Sequence, residues 1–397
     1  MAPPPFQKQK FYIVGHNPNT VADAQTYLDA GANALEPDVC FDADEPDQYF
    51  VSHSHVSSDE DSHDFDHEHS LANYMRGLAA LILSTQKSYN LALIWFDYKD
   101  SPEGDINKLL KIVHDNFTVV NPICAGVAIM VSVAHVSEAS FVNSYDESVN
   151  NAGVAIDQDD DSKAVQQNFN AALQTRFAYA DGIMVGGSPI GIFTSVMKAK
   201  VLQAQTPDPS KTFRMVHTWV LADSDSIRSY LDLHIDGIIV NAGTVPTLKA
   251  ILLEKHYLPM YELAQNGYNP WGAPPIPQYW GTVQTQDVMW AGTDAAVKLT
   301  LTGANGSLQC PIDGSWAKVL EQGDSNGVTW QGLNIGEITS LKAELVNTAG
   351  SAPDWLPAMI TVGSNLMPNP VFFNYGPNDW VKFGSPVTKQ PEQNPSM

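Results

Sequence analysis

Several side chains suited to acid–base chemistry or metal binding stand at the ends of short apolar segments. The set comprises His16, Glu36, Asp38, His53, Asp97 and Lys99. Glu36 and Asp38 are two residues apart, as are Asp97 and Lys99, so within an extended strand each pair projects from one face. If these segments run in parallel, their carboxyl ends meet at one edge and the side chains converge there.

A cluster of this kind fits phosphate chemistry. Three carboxylates with open positions around them are typical ligands of Mg²⁺, which takes water and phosphate oxygens as its remaining ligands. Two histidines beside a bound phosphate can act as acid and base, and a lysine such as Lys99 can neutralise charge in the transition state. A lone Glu-x-Asp motif is usually solvated surface, so the prediction depends on the whole set standing at strand ends.

The elements that would position these side chains alternate between strand and helix up to about residue 255. Apolar segments rich in β-branched residues predict strands at 11–15, 34–41, 49–52, 91–98, 125–133, 182–186, 213–221 and 236–241. Helical periodicity lies between them, at 20–30, 70–85, 105–115, 164–176 and 224–233. Eight such units predict an α/β fold, a closed (β/α)8 TIM barrel over residues 1–260, with Trp219 in the seventh strand and Asn241 at the end of the eighth.

Two alternatives remain open at this point. An open doubly wound sheet would show the same alternation, although no GxGxxG motif follows the first strand as a Rossmann fold requires. The segment 154–156, before Asp157, could form a further strand, which would change the count by one.

The charge balance narrows the class of protein. The 397 residues carry 21 basic and 44 acidic side chains, a net charge of −23. This balance disfavours nucleic-acid binding and docking onto strongly anionic membranes, because both need basic groups. No run of about 20 apolar residues is present, so no transmembrane segment is predicted. The first residues lack the apolar stretch of a secretory signal, and we expect a cytoplasmic protein or the processed form of a secreted one.

The sequence pattern changes beyond residue 260. Residues 261–278 are rich in Pro, Gly and Asn and predict a linker. Residues 279–385 predict an antiparallel β-sandwich, with short strands at 279–285, 296–302, 316–320, 340–347, 358–362 and 370–374. Residues 386–397 predict a flexible tail.

The N-terminal part resembles the sphingomyelinase D / phospholipase D toxin family, a branch of the glycerophosphodiester phosphodiesterase-like barrels. The resemblance rests on Gly15-His16, GANALEPDVCFD at 31–42, FVSH at 50–53, WFDYK at 95–99 and VHTWVLADSDSIRSYLDLHIDGIIVN at 216–241. It implies that Glu36, Asp38 and Asp97 hold one Mg²⁺. It further implies that His16 and His53 are the catalytic pair. The residues implied to contact substrate or shape the cleft are Lys99, Trp219 and Asn241.

The activity implied by this resemblance is a lyase reaction on sphingomyelin or lysophospholipid. A hydroxyl of the lipid attacks the phosphodiester and expels the headgroup alcohol, which leaves a cyclic phosphate. Three alternative functions remain open for the same residues: hydrolysis of glycerophosphodiesters, lipid binding without catalysis, and turnover of another phosphate ester such as a prenyl diphosphate. The complete set from His16 to Lys99 disfavours the non-catalytic reading.

The loop at 53–70, HSHVSSDEDSHDFDHEHS, departs from the family, whose venom members carry a cysteine-stapled loop there. His55 therefore competes with His53 for the second catalytic role; we favour His53 because it directly follows the apolar strand. The loop contains five of the chain's histidines among acidic residues. It is either a solvated acidic loop or a transition-metal site.

The C-terminal part resembles a PLAT (lipoxygenase-homology) domain. The resemblance rests on YWGTVQTQDVMWAGTDAAVKLTLTGANGS at 279–307, LNIGEITSLKAELVNTAGSAPDWLPAMITV at 333–362 and FNYGPNDWV at 373–381. It implies peripheral contact with membranes or partners, in some cases through Ca²⁺. Asp294 is then a candidate Ca²⁺ ligand or an ordinary turn residue. Trp280 and Trp290 are candidate interfacial anchors or core residues.

Overall fold

The fold is described from a computed structural model of the chain. It describes residues 8–44, 48–53, 70–84, 88–99, 103–148, 151–158, 160–182, 191–205, 213–258, 260–272, 278–304, 306–312, 320–331, 335–347, 354–364 and 370–392. Within these ranges the chain divides into two compact units, one spanning Gln9–Pro274 and the other containing Pro275–Met397. No helix in the described ranges is long and apolar enough to cross a membrane.

The first unit contains a closed barrel of parallel strands. The strands of this unit, of which β4 and β11 lie outside the ring, are β1 (Gln9–His16), β2 (Ala34–Glu36), β3 (Asp38–Phe41), β4 (Tyr49–Val51), β5 (Leu93–Tyr98), β6 (Ala128–Val133), β7 (Ala152–Ile156), β8 (Phe177–Gly182), β9 (Val216–Trp219), β10 (Gly237–Val240) and β11 (Tyr261–Leu263). Because β1 pairs in parallel with both β10 and β2, the sheet closes on itself. Pro37 separates β2 from β3, and these two together fill the second of eight positions around the ring.

The predicted count of eight strands is confirmed, but two of the predicted strands differ. The segment 49–52 is not a barrel strand: β4 pairs antiparallel with β3. The third position in the ring is filled by β5, and the count of eight is restored by β7, the candidate strand at 154–156, which lies between β6 and β8. The sixth strand is β8, which ends at Gly182, whereas 183–186 lie outside the described residues. A short apolar segment rich in β-branched residues indicates a strand, but it does not show the direction of that strand.

Helices cover the outside of the barrel. They are α1 (Val21–Ala30), α2 (Leu71–Ile82), α3 (Ile106–Val113), α4 (Pro122–Ala125), α5 (Ser140–Asn143), α6 (Ser162–Ala171), α7 (Gly191–Gln205), α8 (Ser224–Leu231) and α9 (Val245–Leu252). The first turn of α1 is capped by the Thr20 side chain, which accepts from the backbone N–H of Asp23. Gly31 ends the helix with φ +105, a conformation that favours glycine.

The interior of the barrel is filled by aromatic residues facing small ones. Tyr12, Trp95 and Trp271 pack with alanines from six segments, namely Ala34, Ala92, Ala128, Ala155, Ala178 and Ala264. A Cβ on Gly153 would lie 2.4 Å from the Trp271 ring, so the ring needs a glycine beneath it. This arrangement leaves the functional side chains at the carboxyl ends of the strands.

The segment predicted as a linker over 261–278 is in large part a component of the barrel. Strand β11 pairs in parallel with β1, and Trp271 is buried in the interior. Asn33 and Asn90 both donate to the carbonyl of Ala264, at the end opposite the catalytic rim. The Pro, Gly and Asn residues of the segment therefore belong to turns that carry the chain across the end of the barrel opposite the rim, and not to a linker.

The second unit contains two four-stranded antiparallel sheets. Its strands are β12 (Gln278–Thr285), β13 (Val297–Gly303), β14 (Gly306–Ile312), β15 (Ser325–Gln331), β16 (Ile338–Leu345), β17 (Pro357–Ser364), β18 (Val371–Asn374) and β19 (Val387–Lys389). One sheet has the order β15-β12-β17-β18 and the other β14-β13-β16-β19. Val283 and Ile360 of the first sheet share one buried cluster with Leu299 and Leu341 of the second.

Most of the C-terminal strand predictions match, with three differences. Strands β14 and β15 were not predicted, and most of the predicted strand at 316–320 lies outside the described residues. The predicted tail begins with an ordered segment, since β19 pairs with β16 and the Glu392 N–H donates to the carbonyl of Phe372. A strand of three residues is too short to show a period in sequence.

Candidate active site

The rim formed by the carboxyl ends of the barrel strands brings the predicted functional residues together. His16 ends β1, Glu36 ends β2, and Asp38 begins β3. Asp97 stands near the end of β5, where it pairs in register with Asp38, and Lys99 follows the strand. Asp97 and Lys99 therefore stand at the end of the third barrel strand, whereas the sequence placed them at the fourth.

Three carboxylates form the centre of the rim. Glu36, Asp38 and Asp97 are buried, and each offers an oxygen within 4.8 Å of the others. Burial raises the pKa of Glu36 well above its ordinary value, and repulsion from Asp97 and Asp38 adds to the shift. Burial also raises the pKa of Asp97, against the attraction of Lys99. The raised pKa values mean that the neighbouring groups do not fully compensate the negative charge of three ionised carboxylates.

Lys99 is the cation in contact with this centre. Its Nζ lies 2.8 Å from Oδ1 of Asp38 and also pairs with Oδ2 of Asp97. Burial alone would lower the pKa of Lys99, but the two carboxylates raise it above its ordinary value. The lysine is therefore charged, and one positive charge faces three acidic groups.

His53 reaches the rim by a route that the sequence did not indicate. Strand β4 runs back toward the barrel antiparallel to β3, so Ser52 and His53 return to the level of Asp38. Nδ1 of His53 lies 3.1 Å from Oδ2 of Asp38. The prediction that His53 closes a parallel strand is wrong, although the ring does arrive beside the carboxylates. His55 and the remainder of the histidine-rich loop lie outside the described residues.

His16 is held from two sides. Its Nδ1 lies 3.2 Å from Oδ1 of Asn241, the residue that directly follows the eighth barrel strand, β10. Behind it, the Tyr27 hydroxyl donates to the backbone carbonyl of His16 at 2.6 Å. Burial lowers the pKa of His16, while the contact with Asn241 opposes the change. A neutral imidazole with a fixed ring is suited to accept a proton.

Trp219 and Asp157 line the opposite side of the rim. The indole N–H of Trp219 donates to the backbone carbonyl of Asp157. The buried Asp157 carboxylate accepts from the Ser132 hydroxyl at 2.6 Å, and that hydroxyl accepts from the indole of Trp95 at 2.7 Å. Burial and the nearby Asp97 raise the pKa of Asp157. Sequence reasoning noted Asp157 only as the residue after a candidate strand, although its place at a strand end was the same signal that selected Asp97.

Two asparagines between β1 and α1 also belong to the rim, and sequence reasoning missed both. The side chain of Asn19 donates to Asp38 Oδ2 at 2.8 Å and accepts from the Asp38 backbone N–H at 2.9 Å. The backbone N–H of Asn17 donates to Oε2 of Glu36 at 3.1 Å. The available signal was the polar run directly after His16. Among the described residues, the Glu36–Asp38–Asp97 group is the one cluster of three or more metal-ligating side chains.

An eight-stranded parallel barrel with charged side chains gathered at the carboxyl ends of its strands defines a (β/α)8 barrel enzyme. The profile of the dermonecrotic toxin SPH family matches residues 6–271, and the chain belongs to this family. It is accordingly a phosphodiester-cleaving enzyme of the phospholipase D type.

Individual relatives agree with the family assignment. A dermonecrotic toxin of Loxosceles rufescens, LruSicTox-alphaIC1b, is 24% identical over 66% of this chain and 98% of its own length. LgSicTox-alphaIC1 of Loxosceles gaucho is 22% identical over 66% of this chain and 97% of its own. Among solved structures, coral 8R-lipoxygenase is 24% identical over 29% of this chain and 17% of its own, with a TM-score of 0.27, and this likeness supports no assignment.

Proposed function

We propose that the protein is a Mg²⁺-dependent lyase that acts on sphingomyelin or lysophospholipid and expels the headgroup alcohol to leave a cyclic phosphate. The observation that carries the proposal is the group of three buried carboxylates beside Lys99, with His16 and His53 on the same rim. The substrate class is the one implied by the resemblance of residues 10–255 to the sphingomyelinase D / phospholipase D toxin family, and the family match over residues 6–271 supports it.

The carboxylate centre fits a divalent cation. Three acids face one lysine, and burial together with mutual repulsion raises the pKa of Glu36 and Asp97, which is the imbalance that a bound cation relieves. All three donors are hard oxygens, the type that Mg²⁺ prefers. Glu36, Asp38 and Asp97 would hold the ion, which supplies positive charge to the phosphate oxygens.

The side chains around this centre divide the remaining work. Lys99 keeps its charge and is placed to stabilise the extra negative charge of the transition state. The two histidines act as a pair: one takes the proton of the attacking lipid hydroxyl, and the other gives a proton to the leaving alcohol. The lowered pKa of His16 favours its neutral form and thus the role of base. Trp219 shapes the cleft, and Asn241 fixes His16 next to the substrate.

Product analysis tests the reaction type. Phosphorus NMR of the products from sphingomyelin and from lysophosphatidylcholine should show a cyclic phosphate that forms together with free headgroup alcohol. A linear phosphomonoester as the first product would replace the lyase with a hydrolase of phosphodiesters. Activity confined to a prenyl diphosphate, with none on either lipid, would overturn the substrate class.

We further infer that the two C-terminal sheets form a PLAT-like β-sandwich that contacts membranes. Val288, Met289 and Trp290 are consecutive apolar residues with 44%, 74% and 71% of their surfaces exposed. The turn behind them is tightly held, because a Cβ on Gly292 would lie 2.9 Å from the backbone of Leu320. Trp280 is a weaker anchor candidate, since its ring packs over Gly363.

Vesicle binding of the full chain tests this contact. Trp290→Ser should weaken binding to phosphatidylcholine–sphingomyelin vesicles and leave activity on a soluble short-chain substrate unchanged. Phe383→Ser is the matched control, because Phe383 is also an exposed aromatic residue of this unit, at 58%, but stands outside the apolar run. Equal losses of vesicle binding in both variants would show that the apolar residues 288–290 are not a specific membrane contact. Ca²⁺-dependent binding that disappears in Asp294→Asn would assign Asp294 as a Ca²⁺ ligand.

A further inference from the structure

The ring of His53 is oriented by polar contacts more than by packing. Its side chain is 67% exposed, and it ends a described segment of the chain. Two groups face its Nδ1: Oδ2 of Asp38 at 3.1 Å and the amide nitrogen of Asn17 at 3.3 Å. Because the described residues pack little against this ring, we expect such contacts to keep Nε2 directed at a substrate.

Asn17 also contacts the carboxylate centre through its backbone. With φ +52 it occupies the left-handed region, which asparagine tolerates better than most residues. This turn directs its N–H to both the carbonyl and Oε2 of Glu36, at 3.0 and 3.1 Å. One residue therefore touches a candidate metal ligand with its backbone and a candidate catalytic histidine with its side chain.

The side chain of Asn17 is not needed for the turn itself. Glycine adopts positive φ without strain and would keep the same N–H beside Glu36. The Asn17 amide instead carries a cost, because its Oδ1 is buried and has no hydrogen-bond partner among the described residues. Among the described residues, the Asn17 side chain makes one polar contact, between its amide nitrogen and Nδ1 of His53. We attribute the presence of the amide to that contact.

We propose that Asn17 is a positioning residue for His53, an inference that rests on the proposed role of His53 in proton transfer. Asn17 and Asp38 hold Nδ1 from two directions, one with an N–H donor and the other with a carboxylate acceptor. Either neutral tautomer of the ring thus finds a partner at Nδ1. Nε2 then remains available to the substrate.

The test is Asn17→Gly in the full chain. This change removes the amide and keeps both the turn and the backbone N–H at Glu36. We expect kcat to fall about tenfold or more with KM little changed, because ring orientation is lost while the binding groups remain. The thermal midpoint should not fall, because glycine suits this conformation. Wild-type kcat in a folded Asn17→Gly protein would overturn the proposal.

Asn151→Gly provides a matched control. Asn151 also has positive φ, +61, and a buried Oδ1 without a partner among the described residues, but it precedes β7 at the end of the barrel opposite the rim. Its substitution should leave kcat unchanged. A loss of kcat equal to that of Asn17→Gly would show that the effect arises from the backbone and would contradict the proposal.

A double-mutant cycle with His53→Ala separates the positioning role of Asn17 from the proton-transfer role of His53. If Asn17 acts through His53, Asn17→Gly should cause no further loss once His53 is replaced. A further loss of tenfold would assign Asn17 a role independent of His53 and overturn the inference. Normal activity in His53→Ala itself would refute the proposed proton-transfer role of His53, and the positioning inference would fall with it.

Discussion

The rim and the interior of the barrel are built from the same strands but differ in how their polar groups are satisfied. On β5, Trp95 and Asp97 are two residues apart and both buried. The Trp95 indole donates to Ser132 within an apolar cluster, so its polar atom is paired. Asp97 shares a single lysine with Asp38. The interior therefore contributes stability, whereas the rim retains uncompensated charge that can be used for binding.

Two histidines make the same contrast. His217, on β9, is fully buried, neither ring nitrogen has a hydrogen-bond partner among the described residues, and burial lowers its pKa to about 3. His16 at the rim has the lowered pKa of a partly buried ring but keeps Asn241 as a partner. An imidazole becomes useful for proton transfer near neutral pH only where it has a polar partner and access to substrate.

The largest effect is expected at the carboxylate centre. Glu36→Gln, Asp38→Asn and Asp97→Asn should each abolish activity, with losses of about 10³-fold or more, because each removes a charged ligand. Chelation by EDTA should do the same reversibly. Without metal, Glu36→Gln should melt no lower than the parent, because the change relieves burial and repulsion of a carboxylate. Added Mg²⁺ should raise the thermal midpoint of the parent but not of the variant.

Activity that survives both chelation and all three substitutions would show that the rim holds no catalytic metal. A lower midpoint for Glu36→Gln without metal would show instead that these carboxylates stabilise the fold, and the contrast with the interior would fail.

A substitution in the interior should cost a similar free energy, but it should lower the stability of the fold where substitutions at the rim lower the rate. Trp95→Ala should lower the free energy of unfolding by about 3–5 kcal/mol, because it opens a cavity in a closely packed core. Trp95→Phe should cost less, since it keeps an aromatic ring in the core and removes one ring of the indole together with the N–H that Ser132 accepts. Both are measured by urea unfolding, with activity assayed where each variant is folded. A large loss of kcat in a stable Trp95→Phe protein would show that Trp95 supports catalysis at the rim and does not only stabilise the interior.

The sequence predicted the barrel and most of the rim for a physical reason. The apolar strand segments and the helical periods between them are local patterns, and a parallel barrel brings the carboxyl ends of its strands to one rim, so Glu36, Asp38, Asp97 and Lys99 could be placed together. The direction of β4 could not be predicted, because pairing with β3 depends on a loop and not on the strand's own pattern.

Residues that act through distant partners were harder to find. The polar run after His16 marks the position of Asn17, but its contacts with Glu36 and His53 are seen only in the fold. Asp157 stands at a strand end, as Asp97 does, but its partner Ser132 is 25 residues away along the chain. The path of 261–272 beneath the barrel depends on Trp271 meeting Gly153, and no local pattern encodes that contact.

A smaller loss is expected for the histidine pair. His16→Ala and His53→Ala should each reduce the rate on the order of 10²-fold, the usual scale for losing a general acid or base. The double variant should be little worse than either single one, because residues that act as a unit are not additive. Steady-state kinetics on one soluble substrate measures all three. His55→Ala is the comparison variant and should be mild.

A collapse in His55→Ala with a near-normal rate in His53→Ala would transfer the second role to His55. Normal rates in His16→Ala would contradict phosphoryl transfer at this rim.

The smallest effect is expected at the end of the barrel opposite the rim, where Asp236 is a buried carboxylate with its partners in place. It accepts from the Val216 backbone N–H at 2.8 Å and from the Gln9 amide at 2.9 Å. Burial nevertheless raises its pKa from 3.8 to about 6, against these two hydrogen bonds. A pKa raised on folding means that stability from this group is present below the unfolded value of 3.8 and is lost as the pH rises through 6.

Asp236→Asn should therefore gain on the parent as the pH rises. The difference in thermal midpoint, variant minus parent, should become more positive by several degrees between about pH 4 and pH 8. Saturating Mg²⁺ should not alter this trend, because Asp236 is remote from the carboxylate centre. A midpoint difference that stays constant with pH would show that Asp236 does not titrate in this range.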